Sequence, residues 1–326
     1  MARPEPQAHA VPLALAASAG MLMPLQALIT SEGAGFLGGY LSAAFLSALT
    51  SLACLLVASV AIPGARAGWR QFGSVWRDRT IPRWFLLAGL VGSYYMVAQA
   101  MSVGSIGLAL FAVAVVGART LSSIVIDMIG FSPAGKQPVT RIRLLGAGLL
   151  VIGAVIAAWG TGAQAAEAPR ALIALAVAAG AGLLVSFQQS MNGRAGKAYG
   201  STTTATAINY VAAAAGLLLA MALAAVLRIE SFGFSHAPLW WMYFAGPLGI
   251  LFVVTGVTLV PRLGALLLGM GLVTGQLVGS LVMDLVISPE LVGANEIVGT
   301  LVTLVAVLVA SWQPNGQPRW KTRKAS

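Results

Sequence analysis

The chain has 326 residues, of which 58% are hydrophobic and only 9% are charged, and its formal net charge is +10. Soluble domains carry about 25% charged residues, so this composition excludes an ordinary soluble fold. The positive charge lies in short loops and a tail beside hydrophobic segments, which argues against nucleic acid as a partner. The composition therefore indicates a protein whose outer surface contacts membrane lipid.

Apolar segments of about 20 residues follow one another along most of the chain, and this length crosses a ~30 Å hydrocarbon layer as a helix. Lipid offers the backbone no hydrogen bonds, so such segments form helices. We therefore predict an all-α integral membrane protein with ten spans, at residues 11–30, 37–62, 82–101, 105–130, 142–161, 171–191, 202–227, 239–259, 264–287 and 296–313.

The basic residues are unevenly divided between the two sides that these spans define. Sixteen of the 19 lysines and arginines fall on the side that holds both termini, two fall on the other side, and Arg119 lies inside span 4. The positive-inside rule then places both ends in the cytoplasm. Residues 1–10 and 314–326 are predicted to be cytoplasmic tails.

The second half of the chain resembles the first. Residues 84–107 align without a gap with residues 241–264, and 117–127 follow in register on 274–284. Two five-helix repeats, 11–161 and 171–313, are therefore expected. Five crossings per repeat make the second repeat enter the membrane from the opposite side, so the repeats are inverted. Inverted repeats suit alternating access around a site near the midplane.

A family resemblance rests on particular segments of these repeats. Gln26 and Gln188 occupy aligned positions in spans 1 and 6, Ile208 and Asn209 lie in span 7, and residues 276–284 form a glycine-containing polar stretch of span 9. With the repeat plan, these segments resemble the drug/metabolite transporter (DMT) superfamily, and each half is similar to the five-helix inner-membrane proteins of the YdcZ type. The resemblance implies an EamA-like transporter fold of ten transmembrane helices in the bacterial inner membrane, and it implies no substrate.

The first half departs from the second at two polar positions. Ser47 stands where the second half has Asn209, and Arg119 stands where it has Gln276. A cation near the bilayer centre costs about 2.5–3.5 kcal/mol on insertion scales, so Arg119 should face the bundle interior or a wet cavity. Its guanidinium either holds an anionic group of the substrate or is tied to backbone carbonyls or an acidic side chain.

Further candidates for substrate contact are polar side chains within or at the ends of spans. Each can instead form an interhelical hydrogen bond, worth only ~0.6 kcal/mol on average, and the sequence leaves both interpretations open. Spans 1 and 6 lack the acid that related cation exporters use, which favours neutral or anionic metabolites as substrates. These candidates are Gln26, Gln188, Gln276, Asn209, Gln99 and Tyr95.

Two further sets of aligned residues have structural interpretations. Asp127 and Asp284 are expected at opposite membrane faces, where they hold the following loop or act as alternate gates. Small residues at four-residue spacing let helix backbones approach closely, and we expect spans 4 and 9 to pack tightly near the pseudo-two-fold axis. These small residues are Gly271, Gly275 and Gly279 in span 9 and the aligned Ala114, Ala118 and Ser122 in span 4.

The sequence offers little support for an enzyme. No cluster of histidine, cysteine and acidic residues has metal-ligand spacing, no serine has a nearby activating base, and no phosphate-binding Gly-Lys-Ser/Thr motif occurs. We therefore predict no catalytic residue, metal or cofactor. A secondary transporter for a small molecule, monomeric or homodimeric in lipid, is the favoured function. The alternative is a membrane channel or a non-transporting scaffold, because repeats alone do not prove transport.

Overall fold

The structure is a computed structural model that describes residues 7–131, 141–158, 168–229, 233–287, 289 and 292–311. Within these residues the secondary structure is α-helical apart from two 3-10 turns, Arg83–Leu87 and Trp240–Phe244, and no strand is found. The α-helices are α1 (Gln7–Gly20), α2 (Leu22–Leu37), α3 (Tyr40–Ala61), α4 (Pro63–Arg77), α5 (Ala88–Ile129), α6 (Arg141–Ala158), α7 (Ala168–Tyr199), α8 (Thr202–Val226), α9 (Ala245–Ile287) and α10 (Ala294–Ser311).

Six helical stretches in the described part of the chain are long and apolar enough to cross a membrane. Large hydrophobic side chains face outward from them, as at Val60 and Val226, which are 73% and 79% exposed. The chain is therefore a multi-pass, all-α membrane protein. The six stretches are Val11–Leu37, Tyr40–Ala61, Arg83–Ile129, Pro169–Tyr199, Thr202–Val226 and Leu268–Ile287, and three shorter apolar helices are Leu144–Ala157, Trp240–Thr255 and Ala294–Ala306.

The first stretch contains a break between α1 and α2 at Met21. Pro24 has no N–H to donate to the carbonyl of Gly20, and its ring would clash with that carbonyl in a regular helix. The two helices still run on as one passage, which ends at Gly38. Gly38 has φ of +89° and donates its backbone N–H to Ala34 O, a left-handed helix end that favours glycine.

Helix α5 doubles back at Gly107, whose φ of +79° is not helical. A straight helix of its length would extend about 63 Å, twice the hydrocarbon thickness. The rings of Tyr95 and Phe111 lie 6.3 Å apart, whereas a straight helix would separate these residues by about 24 Å. The helix therefore consists of two antiparallel segments, α5a (88–106) and α5b (108–129).

Helix α9 doubles back in the same way. Leu259 and Leu268 both belong to the hydrophobic cluster around Ala16 of α1. Before this point the helix passes Gln26, next to Gly249, and after it the helix passes Ala17, next to Gly275. It therefore runs along the α1–α2 passage twice, first as α9a (245–259) and then, in the opposite direction, as α9b (268–287).

Helix α4 is an amphipathic helix in the basic connection between α3 and α5, where we predicted a loop. Pro63 begins it, a favoured first position because the missing N–H is not needed there. Ala65 and Gly68 lie on its buried face, which packs on the start of α8, and Thr204 Oγ1 donates to Ala65 O at 3.0 Å. We call the end of the bundle that carries α4 the α4 end, and the opposite end the Gly107 end.

Candidate functional site

Arg119 lies half-buried on α5b, inside the helix bundle. Its Nη2 donates a hydrogen bond to Gln189 Oε1 of α7 at 3.0 Å, and the Tyr95 hydroxyl of α5a lies close enough to interact with it electrostatically. Ser186 Oγ donates to the Arg119 backbone carbonyl at 2.8 Å. Among the described residues Arg119 has no carboxylate partner, and its guanidinium donates to the side chain of Gln189.

A buried amide pair joins α7 and α8 beside this arginine. Gln188 Nε2 donates to Asn209 Oδ1 at 3.2 Å. A Cβ atom at Gly92 of α5a would lie 2.7 Å from Gln188 Nε2, so a larger residue there would displace the end of the glutamine side chain. Gln188 and Gln189 are neighbours in sequence and point about 100° apart on the helix, so one contacts Asn209 and the other contacts Arg119.

The aligned position in the first half has the same geometry but lacks the amide partner. A Cβ atom at Gly249 would lie 2.7 Å from Gln26 Oε1, which matches the relation of Gly92 to Gln188. Gln26 is 4% exposed and Ser47 is 1% exposed. Gln26 Oε1 and Ser47 Oγ have no hydrogen-bond partner. Serine has no amide group, so Ser47 cannot form the amide pair that Asn209 forms in the second half.

The remaining polar candidates are placed differently. Gln99 is 1% exposed and its Oε1 has no partner. Gln276 is buried and its backbone lies against Gly20 of α1. Tyr95 packs on Phe111. Of the predicted set, the structure thus brings Tyr95 to Arg119 and Gln188 to Asn209, while Arg119 hydrogen bonds Gln189 and not Gln26, Gln188 or Gln276.

Asp284 is a helix cap at the Gly107 end. Its Oδ2 accepts a hydrogen bond from the backbone N–H of Ala109 at 2.6 Å, and the Leu108 N–H lies nearby. A carboxylate at a helix N-terminus satisfies free N–H groups and complements the helix dipole. Asp127 lies half-buried in the last turn of α5b, where its carbonyl accepts from Gly130 N–H at 3.2 Å.

Glu296 at the start of α10 was not among the sequence candidates. It is 2% exposed, interacts electrostatically with Asp284, and neither of its carboxylate oxygens has a hydrogen-bond partner. We placed the start of the last span at this residue and so interpreted its charge as a boundary. The signal that identifies it is an acid in the first turn of an apolar helix, with Asp284 twelve residues earlier.

The small residues of the two stripes contact other helices rather than each other, although spans 4 and 9 do meet where Asp284 accepts from Ala109 N–H. A Cβ atom at Gly275 would overlap the carbonyl of Ala17, so α9b packs on α1. Ser122 Oγ donates to Leu183 O at 2.7 Å, so α5b packs on α7. The four-residue spacing of small residues shows that one helix face allows close approach, but it does not show which neighbouring helix packs against that face. Of the other stripe residues, Gly271 contacts Ala16, Gly279 contacts Met21 and Ala118 contacts Gly182, and Ala114 is buried in the core.

These contacts recur with the two halves exchanged. Each half places the start of its third span against the first and second spans of the other half, and its first span against the fourth span of the other half. Reciprocal contacts of this kind are what a two-fold relation between two similar units produces. The matched pairs are Gly89 at Ala212 and Ala213 with Gly246 at Thr50 and Ser51, Gly92 at Gln188 with Gly249 at Gln26, and Gly182 at Val115 and Ala118 with Gly20 at Leu272 and Gly275.

One family model, described as "Putative inner membrane exporter, YdcZ", matches residues 11–156 and matches again at residues 173–313. The chain belongs to this family. Because one model matches both halves, the chain is a YdcZ-type member with a double repeat, as the sequence predicted. Membership identifies it as a transporter-family protein of the inner membrane and argues against an enzyme.

A comparison with solved structures supports the fold of the chain and nothing about its function. A solved structure described as "Crystal structure of protein" is 20% identical, covers 94% of this chain and 97% of its own, and superposes with a TM-score of 0.55. A search of the curated proteins found no match.

Proposed function

We propose that this YdcZ-family chain is a secondary transporter that moves a small metabolite or drug-like compound across the inner membrane by alternating access. The observation that carries the proposal is Arg119, which has no carboxylate partner among the described residues and is held by Gln189 between two halves whose contacts are reciprocal. An unpaired cation inside a membrane bundle is costly and is retained mainly where it binds something.

The proposed architecture has ten crossings in two inverted repeats, 11–161 and 171–313. The reversals of α5 and α9 turn two long helices into four crossings, which supports the count. Reciprocal contacts support a two-fold axis, and an odd number of crossings per repeat requires that axis to lie in the membrane plane. The excess of lysine and arginine supports cytoplasmic tails at 1–10 and 314–326, and thus a cytoplasmic α4 end. One chain holds both repeats, so a monomer can form the whole transport unit, whether or not it also dimerises.

Alternating access follows from this symmetry. Two similar halves that pack on each other through the same contacts can exchange conformations, which opens the site first to one side and then to the other. The narrow glycine and alanine contacts are rigid, whereas the polar groups around Arg119 lie between the halves.

The site residues favour an anionic or neutral polar substrate. Arg119 offers N–H donors that a carboxylate or phosphate can accept bidentately. The Gln26, Ser47 and Gln99 oxygens without partners offer hydrogen bonds to polar groups of the substrate. Gln188, Asn209, Gln276 and Tyr95 complete the proposed lining.

Proteoliposomes that contain the purified protein test this function. Charge movement is recorded while pools of anionic, neutral and cationic metabolites are applied to the wild type, to Arg119→Ala and to Arg170→Ala. Arg170 is an exposed arginine and serves as the matched control. The expected result is a saturable anion signal that Arg119→Ala abolishes and Arg170→Ala keeps.

Two outcomes would contradict parts of the proposal. Saturable, proton-dependent transport of organic cations that survives in Arg119→Ala would remove Arg119 from the substrate site. Flux that does not saturate would indicate a channel, and no flux of any pool would favour a non-transporting scaffold.

A further inference from the structure

A pair of buried acids lies at the Gly107 end, away from the Arg119 site. Asp284 of α9b is 4% exposed and Glu296 of α10 is 2% exposed, and the two carboxyl groups interact electrostatically. Along α5b, Arg119 lies about 16 Å from the helix start at Leu108, at 1.5 Å per residue. The pair is therefore a separate feature.

The two acids differ in how their oxygens are satisfied. Asp284 accepts from the N–H group of Ala109, as an ionised helix cap does. Glu296 has the backbone N–H groups of Leu110 and Gly293 nearby, but neither of its oxygens reaches hydrogen-bond geometry. A buried carboxylate without partners is too costly to remain charged beside another carboxylate.

No cation compensates this pair among the described residues. Asp284 is the charged group that interacts with Glu296, and α10 packs on α5, α6 and α9. On α5 the charged side chains are Arg119, in the middle of α5b, and Asp127, in its last turn at the α4 end. On α6, Arg141 lies in the first turn, again at the α4 end. The described side chains of α9b include no other charged group.

A second polar group without a partner lies one turn further along α10. Thr300 is fully buried, its Oγ1 has no hydrogen-bond partner, and it follows Glu296 by four residues, which places both on one face of the helix. A protonated carboxyl group both donates and accepts, so it can use acceptors that a carboxylate cannot.

We propose that Asp284 and Glu296 form a proton-binding site that controls the contact between the two halves at the Gly107 end. Asp284 belongs to the second half and the N–H group that it caps belongs to the first, so this cap fastens one half to the other. The proton adds to the Glu296 carboxylate to give a neutral carboxyl group, and it leaves to water at this end. The pair then carries one negative charge when the proton is bound and two when it is not.

The consequence for the proposed transporter, on which this step rests, is a proton-controlled gate. With the proton bound, Asp284 keeps its hydrogen bond to Ala109 and the end is closed. When the proton leaves, repulsion between two buried carboxylates weakens the cap, and α9b separates from α5b. Proton release at this end is thereby coupled to opening of the site toward the same side.

Hydrogen exchange in lipid nanodiscs without substrate tests the site directly. The rate is followed in peptides that cover residues 107–112 over a range of pH and is corrected for the intrinsic pH dependence of exchange. Opening linked to the loss of one proton should raise the wild-type rate by up to about tenfold per pH unit while the pair titrates. Glu296→Gln, which imitates the protonated acid, should remain protected at every pH.

Glu32→Gln provides the matched control, because Glu32 is an exposed acid near the same end of the bundle, and it should behave as the wild type does. An infrared band of a protonated buried carboxyl group that disappears in Glu296→Gln would independently support the assignment. Wild-type protection that does not change with pH, or a Glu296→Gln variant that titrates like the wild type, would overturn the proton site.

Failure of this site and failure of the proposed function are distinguishable. If transport in liposomes is saturable but hydrogen exchange does not depend on pH, the proton-controlled gate is rejected and the transport function stands. If pH-dependent hydrogen exchange requires Glu296 but the protein transports no solute, the proton site stands and the transport function is rejected.

Discussion

At the scale of single residues, the amide pair and its first-half counterpart differ by one side chain. Gln188 bonds Asn209, whereas Gln26 stands beside Ser47 and both have atoms without partners. A pair with satisfied hydrogen bonds serves as a structural contact. Atoms that are buried without partners are the ones that a substrate or water can engage, so in the proposed transporter we expect the first-half pair to contribute more to substrate contact than the second-half pair.

Exchanging asparagine for serine in the second half tests that division. Asn209→Ser removes the 3.2 Å bond and leaves the Gln188 amide buried without its partner, which should cost about 1–3 kcal/mol of stability. Ser47→Ala deletes a hydroxyl that already lacks a partner, so it should be neutral or stabilising. Thermal unfolding in one detergent compares the two variants with the wild type. Equal loss in both would show that the halves do not differ in this way.

Sequence reasoning found part of this set of residues. The internal repeat pairs Gln26 with Gln188, and the contacts with Gly249 and Gly92 follow the same pairing. Gln189 belongs to the same polar stretch of span 6, but the repeat alignment favours Gln188, and the sequence does not predict that Gln189 contacts Arg119, because neighbouring residues on a helix face different helices. Sequence reasoning missed Glu296 because composition marks an acid as the end of a span, and only packing shows that it is buried.

At the scale of helices, small residues decide which helices touch. The stripe of α9b lets its backbone approach that of α1, and a methyl group at Gly275 would overlap the Ala17 carbonyl. The contact is backbone against backbone, so no side-chain rotation can relieve it. Packing of this kind holds membrane helices together where no hydrophobic force between them exists.

Gly275→Ala should therefore separate α1 from α9b. We expect a loss of about 1–3 kcal/mol, as for other substitutions that overfill a well-packed contact. Gly269→Ala lies six residues earlier on the same helix and meets nothing within 4 Å, so it should leave stability unchanged or raise it slightly through helix propensity. Thermal unfolding of both variants and of the wild type gives the comparison. An undisturbed Gly275→Ala variant would mean that the two helices are further apart than the structure shows.

The elements themselves differ in how far sequence predicts them. The family and the double repeat are predictable because apolar length and aligned glycines survive in both halves. Helix α4 is not, because a basic stretch with three exposed arginines, Arg66, Arg70 and Arg77, is interpreted by composition as a loop. Its helix depends on the tertiary contact of Ala65 and Gly68 with α8. The sequence also does not predict which helix packs against each small-residue stripe, because a helix face of small residues can pack closely on any similar face.

At the scale of the whole molecule, reciprocal contacts and the charge bias lead to one arrangement in the membrane. The α4 end carries most of the basic residues and should face the cytoplasm. The Gly107 end, with the acid pair, should face outward, where a proton is abundant when the membrane is energised. The proposed direction of proton binding depends on this orientation, so the orientation has to be measured by itself.

Single cysteines at matched glycines measure it. The native Cys54 is first replaced by serine, and then Gly73→Cys in α4 and Gly293→Cys before α10 are made separately. Both glycines have open space around an added Cβ atom, so neither substitution should disturb packing. A membrane-impermeant thiol reagent applied to intact cells should label Gly293→Cys and should label Gly73→Cys only after the membrane is broken. The reverse labelling pattern would show that the protein has the opposite orientation, with the acid pair on the cytoplasmic side. Labelling of both cysteines in intact cells would put the two ends on one side, which an odd number of crossings between them forbids.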